Sequence, residues 1–285
     1  MKALQKTAIS AAAVALLTGL SSISAFAEEA AAEAPEVSPV TANVTVVNDY
    51  RYRGLTQSNF KPAIQGGFDY AHESGLYIGN WNSSISWIGD SSTYTANGTK
   101  SVSAPIEMDF YAGFKKEFIG EGFASDFGVL QYYYPTSGLA NGATSPNSTE
   151  LYAAQNFTFG PVTGFAKVSY AVSTLFGTTN STGSYYPDLT ANYDTGVFGL
   201  TVNGHVGDQG VTNTQTVSGV KYNFSYTDWK LGVTKDFGGG LSGALAYVGT
   251  TQPKAAGSYL WYSPNHATTQ SQGKAGGLIS LTKTF

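Results

Sequence analysis

The sequence predicts an all-β fold, a transmembrane, antiparallel, up-and-down β-barrel of about 12 strands behind a cleaved signal peptide. Three observations carry this. The chain divides into segments that alternate at period two, the signature of extended strands. The links between segments are alternately short and long. Charged residues gather on one face of the segments and large apolar residues on the other.

The N-terminus reads first as an address. Lys2 and Lys6 precede a short apolar stretch, Ala8 to Leu20, and Ala25-Phe26-Ala27 is a small-residue cleavage site. Residues 1–27 are therefore expected to be a signal peptide, and Ala8–Leu20 is shorter than the ~20 residues a spanning helix needs. Residues 28–40, EEAAAEAPEVSPV, have no strand pattern and read as a flexible acidic periplasmic leader. The barrel is assigned to 41–285.

Strands are expected at 42–53, 62–72, 75–87, 105–117, 122–134, 148–159, 164–174, 184–194, 197–207, 221–237, 241–250 and 274–285. Links such as His72-Glu73-Ser74-Gly75, Gly160-Pro161-Val162-Thr163 and Gly238-Gly239-Gly240 are tight and rich in turn residues. Those on the other side, such as Ile88–Ala104 and Thr251–Gly273, are long and polar. Short turns on one side and long loops on the other are the outer-membrane arrangement, and it calls for an even strand count.

The faces separate cleanly. Ile106, Met108, Phe110, Ala112 and Phe114 alternate with Glu107, Asp109, Tyr111, Gly113 and Lys115. Phe198, Leu200, Val202 and Val206 alternate with Thr201, Asn203 and His205, and Trp229, Leu231 and Val233 with Asp228, Lys230 and Thr234. A charge facing lipid costs ~2–4 kcal/mol at the midplane, so the apolar face is read as outer and the charged face as lumenal. The charged face is too charged for a dry core. Tyr50, Tyr52, Tyr70, Tyr77, Trp87, Phe123, Tyr133, Tyr193 and Phe237 lie near strand ends and are expected to form interfacial girdles. The last strand puts Ile279, Leu281, Lys283 and the terminal Phe285 on its outer face. It is expected to pair with Asn43–Arg53 and to address the chain to the barrel assembly machinery. Lys283 would snorkel at the periplasmic rim.

Composition agrees. A mean hydropathy of -0.11 suits strands with only alternate residues in lipid. There is no cysteine, and a closed barrel satisfies its own backbone without disulfides. Removing Lys2 and Lys6 leaves 13 bases against 19 acids, a net of -6, which gives no ground for nucleic-acid binding.

The stretch NDYRYRGLTQSNFKPAIQGGFDYAHESGLYIGNW, Asn48 to Trp81, resembles the opening of the TorF family of porins, as do YTDWKLGVTKDFGGGLSGALAYVGT, Tyr226 to Thr250, and the final KTF. The resemblance implies an outer-membrane barrel and a pore, with no established substrate and no cofactor.

Asp49, Arg51 and Arg53 are expected on one inward face of the first strand, and Arg51 and Arg53 are the only arginines. Fixed guanidinium charge suits a constriction or an anion site. The favoured reading is internal ion pairing with Asp69, Glu107, Asp109, Asp126, Glu150 or Asp228. With Asp49 and Asp188 these make eight inner acids, against six inner bases, Arg51, Arg53, Lys115, Lys167, Lys221 and Lys230. His205 reads as a hydrogen-bonded lumen residue. The histidines His72, His205 and His266 are scattered, G-x-S-x-G is absent, and two S-x-x-K matches, Ser58–Lys61 and Ser271–Lys274, fall in loops. A non-enzymatic channel for small hydrophilic solutes, embedded in outer-membrane lipid, is the leading expectation. A non-conducting scaffold that presents extracellular loops is the second.

Overall fold

Period-two alternation over a dozen segments can bury every backbone group only if the ring closes. The computed structural model describes residues 38–91, 101–217, 219–252, 254–255, 258–259 and 271–285, and its twelve wall strands form one closed antiparallel barrel. They are β1 (Val40–Val47), β2 (Ala63–Ala71), β3 (Leu76–Ser84), β4 (Ile106–Gly120), β5 (Phe123–Tyr133) and β6 (Ser148–Phe159), then β7 (Val162–Ala171), β8 (Tyr185–Asp194), β9 (Leu200–Gln209), β10 (Tyr226–Gly238), β11 (Leu241–Thr251) and β12 (Gly276–Thr284). Each strand pairs with its sequence neighbours, and β1 closes on β12 from Asn43↔Thr284 to Val47↔Ser280. Both ends of the barrel chain meet at the short-turn rim, where the Phe285 N–H donates to the Ala42 carbonyl at 2.8 Å. The expected signal peptide and all but the end of the expected leader lie outside the described residues.

The faces fall as the alternation requires. Ile64, Phe68, Ile78, Leu231, Ile279 and Leu281 are among the large apolar side chains exposed on the outside. Glu107, Asp109, Asp126, Glu150 and Asp228 are buried inside. Lys283 reaches the Gly239 carbonyl in the β10–β11 turn and sits 5.5 Å from the Phe285 ring, at the rim.

Four expectations are corrected. The first strand leaves the wall at Val47 and does not run to Arg53, so β12 closes on Asn43–Val47. The cause is Asn48, whose side-chain Oδ1 accepts from the Ile279 N–H at 2.7 Å while its Nδ2 donates to the Gly277 carbonyl at 3.1 Å. The side chain takes over bonds that a continuing strand would make, and the backbone is free to turn inward. Lys221 lies in a two-stranded hairpin, Thr214–Val217 with Val220–Asn223, and is exposed outside the barrel. The wall resumes only at Tyr226, because Phe224 is buried in a loop cluster with Ala171, Leu175 and Val211. Phe198 sits in a turn at φ 53° and precedes its strand. Of the expected girdle, Tyr70, Tyr133, Tyr193 and Phe237 are exposed on the outside, but Tyr50 and Tyr77 are buried in the interior cluster, with Tyr52 and Trp87 packed against it. Each of the two buried tyrosines has a carboxylate to bond, as described below.

Candidate functional site

The inward turn after Asn48 makes a small hairpin, Arg51–Tyr52 paired with Leu55–Thr56, inside the barrel. Its tip is Arg53-Gly54, with φ of 45° and 76°. Positive φ at both tip residues is the geometry of a two-residue hairpin turn, in which Asn-Gly is usual. An arginine in the left-handed region costs about 1–2 kcal/mol. The side chain recovers that cost through its contacts.

The Arg53 guanidinium is paired with Glu150 through two bonds, 3.0 Å to Oε1 and 2.6 Å to Oε2, and donates to Gln209 Oε1 at 2.6 Å. It lies 4.1 Å from the Tyr186 ring and 4.9 Å from the Tyr52 ring. Such forked, desolvated pairing with ring contacts is what guanidinium does best. Arg51 pairs with Asp49 at 2.6 Å and donates to the carbonyls of Gly54 and Lys274, each at 3.0 Å. The hairpin is thereby tied to β6, to β9 and to the segment that leads into β12. Gly54 is required at the tip by close approach as well as by φ, since an added Cβ would lie 2.4 Å from Thr250 Cγ2 and 2.8 Å from Asp228 Cβ.

The loop beyond the hairpin is lashed down too. The Ser86 N–H donates to the Gln57 carbonyl at 2.9 Å, and Asn59 Nδ2 to Asp90 Oδ2 at 2.9 Å, next to the short helix α1 (Trp87–Asp90). Ser58 Oγ donates to the Lys61 carbonyl at 2.6 Å, so this S-x-x-K serine serves the loop's own backbone.

Tyrosines meet the other inward carboxylates. Tyr50 donates to Glu107 at 2.8 Å, Tyr77 to Asp126 at 2.6 Å, Tyr111 to Asp69 at 2.5 Å and Tyr186 to Asp228 at 2.8 Å. Tyr52 and Tyr132 bond to each other at the hairpin. Of these tyrosines Tyr111 lies on the inward face expected for it, Tyr50, Tyr52 and Tyr77 depart from the expected girdle, and Tyr132 and Tyr186 have no charge to single them out. Their parity could have found them, because Tyr77, Tyr111, Tyr132, Tyr152 and Tyr186 alternate in phase with the inward residues of their strands. Asp109 is buried beside this cluster, at 1% exposure. Lys115 Nζ approaches Asn156 Oδ1 at 3.4 Å on the short-turn side, and Lys167 pairs with Asp188 at 3.5 Å. The His205 ring bonds to Thr190 Oγ1 at 2.9 Å, Tyr186 Oη at 3.0 Å and Asp228 Oδ1 at 3.0 Å.

The interior is therefore divided. Toward β2–β6 it is filled by the cluster that includes Tyr50, Trp81, Tyr111, Tyr132 and Tyr134. Between the hairpin and the wall a cavity of about 130 Å³ remains, with Gln65 of β2 and Leu130 and Tyr132 of β5 also in its lining. Asp49, Arg51 and Arg53 bound it on the hairpin side, and Lys167, Asp188, His205, Asp228 and Lys230 line the wall strands β7 to β10. The structure thus gathers Asp49, Arg51, Arg53, Lys167, His205, Asp228 and Lys230 around one cavity. Asp69, Glu107, Asp109, Lys115 and Asp126 are outside its lining, and Glu150 meets it through Arg53 and Tyr132. Among the described residues no group of three or more His, Cys, Asp or Glu is placed to hold a metal ion.

A family described as "Bacterial protein of unknown function (Gcw_chp)" matches residues 29–285. No curated protein matches the chain. Solved structures share the fold at low identity. The NanC porin is 8% identical over 86% of this chain and 98% of its own, with a TM-score of 0.50. The KdgM porin, solved in complex with disordered oligogalacturonate, is 6% identical over 86% and 98%, with a TM-score of 0.47. A porin at 14% identity is covered over 62% of its length by 79% of this chain, with a TM-score of 0.37.

Proposed function

We propose that this chain, which belongs to the Gcw_chp family, is an outer-membrane channel for passive diffusion of small hydrophilic solutes. The observation that supports the reading most directly is the inverted wall. Apolar side chains face outward, and the charged interior keeps a cavity of about 130 Å³ beside an arginine-tipped hairpin. An interior of this polarity, in a ring with no free edge, suits an aqueous path through lipid. The resemblance of Asn48–Trp81 and Tyr226–Thr250 to TorF family porins supports the same compartment and role. In this reading Arg51, Arg53, Lys167, His205, Asp228 and Lys230 line the solute path. Asp69, Glu107, Asp109, Lys115, Asp126 and Glu150 brace the wall and the hairpin. The terminal strand ending in Phe285 serves as the signal for barrel assembly.

One observation favours a second reading. The hairpin and the tyrosine–carboxylate cluster fill much of the interior, as they would in a scaffold that does not conduct. The purified protein in a planar bilayer separates the two. Stepwise openings at low protein input support the channel. A silent bilayer with folded protein inserted supports the scaffold and removes the channel reading.

A further inference from the structure

The cavity has two unlike walls, and this is what names its solute. Strands β7 to β10 give it both signs of charge. Lys167 stands 3.5 Å from Asp188, the His205 ring 3.0 Å from Asp228, and Lys230 lies on the same stretch. The adjoining stretch, β11, β12 and β1, gives it Ala244, Ala246, Val248, Leu278 and Val47, with the Ser280 hydroxyl among them. Among the described residues these three strands put no charged side chain into the interior, since Lys283 shares the outward face with Ile279 and Leu281. A path meant for sugars or free ions has no need of a mostly aliphatic side. An aliphatic side beside paired charges of both signs fits a solute with the same division.

From this geometry we infer that the slot favours compact zwitterions that carry an aliphatic group. Their cationic and anionic ends would meet the Asp188, Asp228, Lys167 and Lys230 side, and their alkyl group would slide along Ala244, Ala246 and Leu278. An anion-only preference does not fit, because Arg51, Arg53, Lys167 and Lys230 face Asp49, Asp188 and Asp228 across one cavity, a near balance of charge. The inference rests on the channel reading and goes beyond it by naming the solute class.

Valine and threonine make a matched probe, equal in shape and charge, with a hydroxyl in threonine where valine has a methyl. A closed pocket discriminates against a hydroxylated isostere by about 100-fold, so an open slot should give about three- to tenfold. In proteoliposome swelling with isosmotic solutes, valine should enter faster than threonine by that factor. Both should enter faster than erythritol, an uncharged solute of nearly the same mass. In the Ala244→Ser/Ala246→Ser double variant the valine-to-threonine ratio should fall toward one. Leu278→Ser reads the same wall independently if the double variant fails to fold. Equal rates for valine and threonine would overturn the inference, as would rates ordered by size alone or entry of anions only, and the channel reading would survive each of these. If no solute enters, glycine included, the channel reading itself fails, and the inference falls with it.

Discussion

The Arg53–Glu150 pair is where a single atom-level change should be visible at the scale of the whole barrel. Glu150→Ala removes both bonds of the fork and leaves a buried guanidinium with Gln209 as its remaining side-chain acceptor, the two side chains being only 5% and 2% exposed. Breaking a buried pair on one side costs about 3–5 kcal/mol, because the surviving charge is stranded away from water. The stranded charge has an escape, since Arg53 sits on a hairpin tip and not on the wall. If the seated hairpin bears the lower figure, about 3 kcal/mol, its ratio of seated to released forms falls by about 150-fold at ~1.4 kcal/mol per tenfold. The assay is single-channel recording of the folded variant in a planar bilayer. Glu150→Ala should show larger and noisier openings than the parent. Glu150→Gln, which keeps one acceptor, should fall between them. Arg53→Ala/Glu150→Ala should be no worse than the more severe single variant, because the two residues act as one unit. A folded Glu150→Ala with parental conductance and noise would refute the claim that this pair holds the hairpin in place.

Three further outcomes are expected. Gly54→Val places a side chain where the Thr250 methyl already lies 2.4 Å from a Cβ, on a backbone with φ 76°, so it should unseat the hairpin and raise conductance while the barrel still migrates as folded on a gel. Leu231→Arg, at a side chain 61% exposed on the outer face near the middle of β10, should cost about 2–4 kcal/mol in lipid. Thr234→Arg on the inner face should cost far less, and equal midpoints for the two in urea titrations of the lipid-embedded protein would mean that the outer face does not meet lipid. Asn48→Ala removes the acceptor for the Ile279 N–H and should lower stability by about 1–3 kcal/mol. A shift in the temperature of heat-modified gel migration measures this loss.

Much of the wall was legible because its code is local. Glu107, Asp109 and Lys115 fall in phase along β4, and Asp228 and Lys230 along β10, so parity alone sends them inward. Twelve strands and the alternation of turns and loops follow from counting such segments. The hairpin was hidden by the same code. Asp49, Arg51 and Arg53 continue the alternation of β1 without a break, and a hairpin bent off the wall keeps period two as faithfully as the wall does. Its turn, Arg-Gly, lacks the asparagine or aspartate that usually marks a two-residue turn. The departure depends on Asn48 replacing backbone bonds to Ile279 and Gly277, partners more than 220 residues away in sequence. No local pattern carries that. The tyrosines were misread for a related reason: nearness to a strand end suggested girdles, while parity, which decides the face, pointed inward for Tyr77.

The pairing of β1 has a consequence for how the molecule is put together. β1 and β12 share five register positions, Asn43 to Val47, while β1 and β2 share eight, and so do β11 and β12. The hairpin hangs from β1, next to this short seam, and its guanidinium groups reach Glu150 on β6 and carbonyls just before β12. A sheet from β2 to β12 can therefore curl with its interior open on the β1 side. Closing the five pairs then encloses the hairpin laterally, with no need to thread charged arginines down through a finished mouth. Loop-closure entropy falls last on the contact of greatest sequence separation, so the seam that completes the ring also seals the hairpin inside.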